Sequence, residues 1–457
     1  MKIIRTIIFF SIIFSTNAQQ ISLPKVTREV LNNGLVVLLM EQHRLPIVSI
    51  QISFKGGSAN DPVNKEGIAN LMSNLLKSGT AKRSAKQIAE EIDFVGGKLE
   101  FSTKKENINL SFEVMKKDFD GSFALLSDVI LNANFLQNEI DREKKMIYSE
   151  FEEVKEDPSS IAQIAFVKEI FQSHPYGFIN MGKQSSLEKI TRDDLIKHYK
   201  TIIAPNRAVM AVVGDFNTKE MLKTIKNKFG AWKESSIELK EIAEPKFESG
   251  QKCVVVNKSD ATQTQIRIGG IGVARKNENY FAILVANSIF GNGFTSRLVD
   301  EIRVKRSLSY GASSGFTMYQ NGGSFLISTF TKNETVKEVV EVILTEIKKY
   351  REIGPTSEEI TKAKNYLIGD MARDLQTPDA LASNLCEIEI FNLPKDYLEK
   401  YFDNLRNVNE VDVKKVINNY FQISDATFLF LSPKENIEKQ ITNFGKIKTI
   451  EMNALFE

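Results

Sequence analysis

The sequence predicts an α+β fold built from two similar domains, each a mixed sheet covered by helices. Three observations predict it. The chain has 457 residues, too many for one ordinary core. Short β-branched runs alternate along it with amphipathic helical stretches. The order of those elements then repeats after a charged, proline-containing join, "KESSIELKEIAEPKFESGQ".

In the first half, "GLVVLLMEQ" and "IVSIQISFKGG" read as strands. "GIANLMSNLLKSGT" follows as a short helix with Ile68, Leu71, Met72, Leu75 and Leu76 on one apolar face. "SAKQIAEEIDFVG" is a second helix, and "GKLEFST" and "INLSFEVM" form a strand pair. "FDGSFALLSDVIL" and "QNEIDREKKMIYSEFEEVKED" are helical, the latter stopped at Asp157-Pro158. "RDDLIKHYKTII" is a helix and "RAVMAVVGDF" a buried strand. In the second half, "KCVVVNK" and "TQTQIRIGGIG" are strands and "NYFAILVANSIFG" takes the place of the short first-half helix. "GSFLISTFT" is a strand, and "TVKEVVEVILTEIKKYREIG" and "SEEITKAKNYLIGDMARDL" are helices, the second paralleling residues 138–157. "ATFLFLSP" closes this half as "RAVMAVVGDF" closes the first. The expected boundaries are 1–18 for a signal peptide, 19–232 for the N-terminal domain, 233–251 for the linker and 252–457 for the C-terminal domain. Two like domains on such a linker can face each other and enclose a cleft.

The opening residues "MKIIRTIIFFSIIFSTNAQQ" carry Lys2 and Arg5, a short apolar run and a small residue, Ala18, at a cleavage point before Gln19. The run is too short for a membrane span, so export is expected, periplasmic in the first instance and secreted in the second. No later stretch is long and apolar enough to span a bilayer, so no membrane span is expected once the signal is removed. With 60 basic and 58 acidic residues the net charge is +2, which gives a nucleic-acid partner no support. There are two cysteines, Cys253 and Cys386; a bridge between them is open to an exported chain, but two lone cysteines do not establish one. There are three histidines, His43, His174 and His198, and they form no metal-binding pair.

Beside the apolar face of "GIANLMSNLLKSGT" runs a polar stripe of Asn70, Ser73, Asn74 and Lys77. Asn and Ser are indifferent helix formers because their side chains compete with the backbone for hydrogen bonds. Their concentration on neighbouring turns calls for an explanation.

One comes from the strings "GGSANDPVNKEGIANLMSNLLKSGT", "HPYGFINMG" and "APNRAVMAVVGDF" in the first half and "GNGFTSRLVDEIRVKRSLSYGASS" in the second. In their order and spacing the chain resembles the pitrilysin family of metallopeptidases, in its mitochondrial-processing-peptidase-like branch. The resemblance implies a clamshell half of two homologous domains. It places the family's His-x-x-Glu-His helix here, with the two zinc-ligand histidines at Asn70 and Asn74 and the catalytic glutamate at Ser73. An amide is a poor Zn²⁺ ligand beside imidazole, and a serine hydroxyl cannot replace a carboxylate as base near neutral pH. The family's downstream ligand falls on Glu150 and its supporting glutamate on Glu143. On their own residues these read as solvated or helix-capping carboxylates, and hydrogen bonds from Asn70 and Asn74 to Glu150 are a further expectation.

In the second half, "RVKRSLSY" matches the family's substrate-side pair at Arg303 and Tyr310, donors suited to peptide binding and to a developing oxyanion. Without the resemblance, Arg303 reads as a partner of Asp300 or Glu301 and Tyr310 as a core residue on the following strand. Ser307 departs from the glycine usual in that turn. "FGNGF" reads as a turn and helix cap, with Thr295 or Ser296 as cap. "GGKLEFST" reads as an edge strand, whose family counterpart takes up peptide by β-augmentation.

The resemblance therefore implies a chain without metal or other cofactor, no enzyme on its own. It would be the substrate-binding subunit of a heterodimeric zinc peptidase, supplying Arg303 and Tyr310 to a zinc-bearing homologous partner acting on peptides. The alternatives are a peptide- or protein-binding module with no proteolytic role and a structural subunit of a larger complex. The export signal argues against the last.

Overall fold

A computed structural model of the chain describes residues 24–246 and 248–456, so the expected signal peptide at 1–18 lies outside the described residues. The first half contributes six strands: β1 (Val26–Val30), β2 (Val36–Glu41), β3 (Ile47–Lys55), β4 (Lys98–Thr103), β5 (Asn107–Met115) and β6 (Ala208–Gly214). They form one sheet in the order β1-β2-β6-β3-β5-β4. The second half contributes β7 (Lys252–Asn257), β8 (Gln263–Ile271), β9 (Ala312–Tyr319), β10 (Gly322–Lys332), β11 (Thr427–Ser432) and β12 (Ile447–Glu451). Their order is β12-β7-β11-β8-β10-β9.

The repeat is visible in the ladders. β2–β6 and β7–β11 are parallel, while β3–β6 and β8–β11, β3–β5 and β8–β10, and β4–β5 and β9–β10 are antiparallel. The two sheets differ at one edge. There the first half adds its N-terminal strand β1 antiparallel to β2, and the second adds its C-terminal strand β12 parallel to β7. At the other edge β4 and β9 are equivalent, and β4 is the edge strand that "GGKLEFST" predicts.

Two helices tie the halves together. Asp157-Pro158 ends the Gln137–Glu156 helix, as expected, and at once begins another over Pro158–Phe171, its first turn capped by the Asp157 carboxylate. That helix packs on β8 and β11 of the second half. Its counterpart, Pro378–Ile390, packs on β3 and β6 of the first. Each sheet is thus covered on one face by a helix from the other half. Ile161, Ala162 and Phe166 share a core with Val254, Val256, Leu429 and Leu431. Leu381, Ala382 and Leu385 share another with Val209, Ala211 and Val213. At these strands the halves pack directly on one another, where the sequence suggested domains facing across a cleft.

Polar contacts fix this exchange. Asp379 accepts from Gln51 Nε2 at 2.5 Å and Ser111 Oγ at 3.0 Å, and Arg28 pairs with Glu389 at 2.7 Å. Glu106, buried in the turn between β4 and β5, accepts from the Tyr176 hydroxyl and from the Gln320 backbone N–H of the second half at 2.9 Å. Cys253 and Cys386 are both buried free thiols, with Cys386 packed under the Gln51 carbonyl. Among the described residues no helix is long and apolar enough to cross a membrane.

Candidate functional site

The polar stripe lies on the Ile68–Leu75 helix, which buries Ile68, Ala69, Leu71, Met72 and Leu75. Its N-terminus is shaped by backbone approach rather than by a Ser or Thr cap. Gly67 has φ +93°, and a Cβ there would meet the Met181 carbonyl at 2.5 Å. Gly182, at φ +83°, would meet the Glu66 carbonyl at 2.1 Å. The "HPYGFINMG" turn therefore packs against this helix through two glycines. The free N–H groups of Gly67 and Ala69 donate to Asp61, whose side chain is 1% exposed. Burial holds the Asp61 carboxyl well above the ordinary aspartate range, against those two N–H bonds.

Each expected metal position can then be placed. Ser73 is fully buried, its hydroxyl 3.0 Å from the Asn70 carbonyl oxygen and 2.8 Å from Thr103 Oγ1 of β4. A hydroxyl so held is a structural clasp between helix and edge strand. Asn74 donates its amide to Glu143 Oε1 at 2.9 Å. Glu143 is buried on the Gln137–Glu156 helix, and Glu150 is exposed two turns further on. The Glu150 carboxyl is raised by desolvation, then by the charges of Glu153 and Glu143. The expected bonds from Asn70 and Asn74 to Glu150 are not made. Asn74 turns instead to Glu143, whose buried carboxylate is the stronger acceptor because water competes less for it.

The residues at this place are two amides, a hydroxyl and two carboxylates, a donor set that does not fit Zn²⁺. Among the described residues no group of three or more His, Cys, Asp or Glu side chains comes together to hold a metal. The histidines stand apart. His174 Nδ1 accepts from the Tyr176 N–H in its own turn, His43 lies beside Asp215 at 2.5 Å, and the buried His198 Nε2 has no hydrogen-bond partner among the described residues. A cavity of about 850 Å³ opens beside Asn74 and Glu143, lined only by residues of the first half.

Arg303 and Tyr310, the pair expected on the substrate side, sit on the second half. Arg303 lies in the helical segment Asp300–Lys305 that continues from Arg297–Val299. Ser296 holds the N-cap position as expected, but its buried hydroxyl has no partner among the described residues. Ser307, where the resemblance leads one to expect glycine, takes φ +52°, the left-handed conformation that glycine adopts without a Cβ penalty. Tyr310 falls in the turn before β9, not on the strand, and is 84% exposed, with Phe294 (85%) and Val304 (66%) also on the surface. Asp300 and Glu301 are taken by Lys305, and Glu301 also by Arg306, so the alternative pairing for Arg303 is not made. Among the described residues neither the Arg303 guanidinium nor the Tyr310 hydroxyl has a hydrogen-bonding partner, and neither lines the cavity at Asn74.

Sequence reasoning missed two residues of this site. Asn180 donates to the Thr103 carbonyl of β4 at 3.1 Å and accepts from Ser58 Oγ at 2.8 Å. Asp61 caps the helix from seven residues before it. The only signals were turn neighbours: Asn180 stands two residues before Gly182, and Asp61 directly before Pro62.

Comparison with known proteins agrees with this geometry. Residues 36–183 match the family model described as insulinase (peptidase family M16), and residues 189–367 match that of the peptidase M16 inactive domain. An uncharacterized zinc protease YmxG of Bacillus subtilis is 23% identical over 90% of this chain and 99% of its own length. A protein of Helicobacter pylori named non-peptidase homolog YmxG is 24% identical over 90% and 95%. The crystal structure of a peptidase M16 inactive domain from Pseudomonas fluorescens superposes with a TM-score of 0.84 at 25% identity, covering 90% of this chain and 98% of that one. Two matched family models in the expected order, together with the superposition on the Pseudomonas fluorescens structure, establish that this chain belongs to the insulinase-type peptidase family M16.

Proposed function

We propose that this chain is the non-catalytic, substrate-binding subunit of an exported heterodimeric zinc peptidase. It holds peptide and presents Arg303 and Tyr310 to the zinc site of a homologous partner. One contrast carries the reading. The three metal-site positions hold Asn70, Ser73 and Asn74, two of them tied up in helix and strand contacts, while Arg303 and Tyr310 stand exposed and unpaired. A phenol and a guanidinium are the donors that stabilise negative charge on a carbonyl oxygen under attack. The relative named a non-peptidase homolog supports a role without autonomous chemistry.

The test is reconstitution. The chain alone, its zinc-motif homologue alone and the mixture are assayed on a quenched, unstructured peptide, with gel filtration of each. Activity confined to the mixture, lost with chelator, supports the reading. Full activity of the homologue alone leaves the second reading, a peptide- or protein-binding module with no proteolytic role, which the same loss of metal ligands favours.

A further inference from the structure

A second cavity, of about 270 Å³, lies where the two halves meet, and neither the Ile68–Leu75 helix nor Tyr310 lines it. It sits between the Asn107 end of β5, the Tyr319 end of β9 and the Pro378–Ile390 helix. Small-molecule sites run from about 300 to 1,000 Å³, so this one suits a compact ligand.

One wall holds a buried charge. Arg275 is 7% exposed, with its guanidinium carbon 4.0 Å from the centre of the Tyr280 ring and 5.2 Å from that of Tyr397. Its Nε donates to Glu387 Oε1 at 3.1 Å and its Nη2 to the Tyr397 hydroxyl at 2.9 Å. Nη1 has no hydrogen-bond partner among the described residues and is not closed off from solvent, so the guanidinium presents a donor to the cavity it lines. Glu387 lines the same cavity, and among the described residues its second oxygen has no donor. Asn109 Oδ1 accepts from Ser53 Oγ at 2.7 Å and from Asn107 Nδ2 at 2.6 Å, which leaves the Asn109 amide N–H groups unused. The other charged groups at the border are engaged elsewhere or face water. Lys105 donates to the Phe178 carbonyl, Glu106 accepts from Tyr176 and Gln320, and Lys104 is exposed. Met318, Ile390 and Phe391 supply an apolar wall.

This pairing of charges selects the ligand class. A lone anion at Nη1 would lie beside the Glu387 carboxylate, and a lone cation at Glu387 beside the guanidinium. A molecule that carries both charges on neighbouring atoms meets both groups at once, and an apolar substituent covers the third wall. We propose that this junction cavity binds a free α-amino acid with an apolar side chain. The carboxylate meets Arg275 Nη1 and Asn109, the ammonium meets Glu387, and the side chain lies against Met318, Ile390 and Phe391. Asn109 belongs to the first half and Arg275 and Glu387 to the second, so the ligand ties the halves together and stabilises their contact. The site stands whether or not a zinc-bearing partner exists.

The test uses the chain without residues 1–18, titrated with L-phenylalanine, L-phenylalaninamide, hydrocinnamate and glycine by calorimetry and thermal melts. L-Phenylalanine should bind saturably and raise the Tm. The amide lacks the carboxylate, hydrocinnamate the ammonium and glycine the apolar side chain. Each loss should weaken binding about tenfold or more, the effect of one charged hydrogen bond or one buried apolar group. Glu387→Gln keeps an acceptor for Arg275 Nε and should bring the affinities for L-phenylalanine and hydrocinnamate together. Ser383→Phe, at an exposed position bordering the cavity, should fill the space and weaken L-phenylalanine while leaving the ligand-free Tm unchanged. No saturable binding, equal affinity for the four compounds, or a preference over hydrocinnamate that survives Glu387→Gln overturns the proposal.

Discussion

Asn74 donates its side-chain amide to Glu143 across 2.9 Å, joining the Ile68–Leu75 helix to the Gln137–Glu156 helix. On the proposed reading of Asn70, Ser73 and Asn74 as former metal-site positions, this helix-to-helix hydrogen bond takes the place of a metal-supporting contact.

If only side chains were lost, returning them should return the metal. The triple variant Asn70→His, Ser73→Glu, Asn74→His should bind Zn²⁺ with Glu150 as third protein ligand, while wild type should not. At a hundredfold excess over Kd the metal should stabilise the variant by about 2.7 kcal/mol, read as a zinc-dependent rise in Tm. A variant that folds but shows no zinc-dependent shift would mean that Glu150 is out of reach of that helix.

The contact between the halves should be sensitive to one buried carboxylate. Glu106 accepts from Tyr176 and from the Gln320 backbone. Glu106→Gln replaces one acceptor oxygen by a donor and should cost about 1–3 kcal/mol in urea unfolding; Tyr176→Phe should cost about 1 kcal/mol. Additive costs in the double variant would show that the two groups do not act through each other.

Acid should destabilise the fold through His198. Burial lowers its imidazole from 6.5 to about 4, and at 4.0 Å from Asp61 it is too far for a hydrogen bond to hold its proton. Between these values the unfolded chain binds a proton that the folded chain does not. Stability therefore falls as pH drops from about 6.5 towards 4, by up to about 3 kcal/mol from this group. His198→Gln should flatten that part of the pH–stability curve, measured by chemical denaturation at pH 7, 6, 5 and 4.5.

The doubled sheet was legible because its strands alternate in burial or run apolar between turn residues, and the two halves repeat that order. The Pro158–Phe171 and Pro378–Ile390 helices were not. Each is covered by its own half on one side and by the opposite sheet on the other, so neither shows the single apolar stripe that marks a surface helix. In the site, spacing on one helix put Asn70, Ser73 and Asn74 together. The choice of Glu143 over Glu150 as partner depends on how two helices cross, which one-dimensional spacing does not carry. Tyr310 was expected on a strand because its neighbours are strand-like; the left-handed Ser307 and the bond from Ser309 Oγ to the Gly311 carbonyl keep it in the turn.

The central claim is tested most directly by the substrate-side pair in the reconstituted complex. Arg303→Ala and Tyr310→Phe are surface changes, so each should leave the Tm and the affinity for the zinc-bearing partner unchanged. Each should lower kcat/KM of the mixture on the quenched peptide by about a hundredfold, the usual effect of removing one oxyanion donor. Undiminished activity with both variants, in a complex that still assembles, would contradict the account.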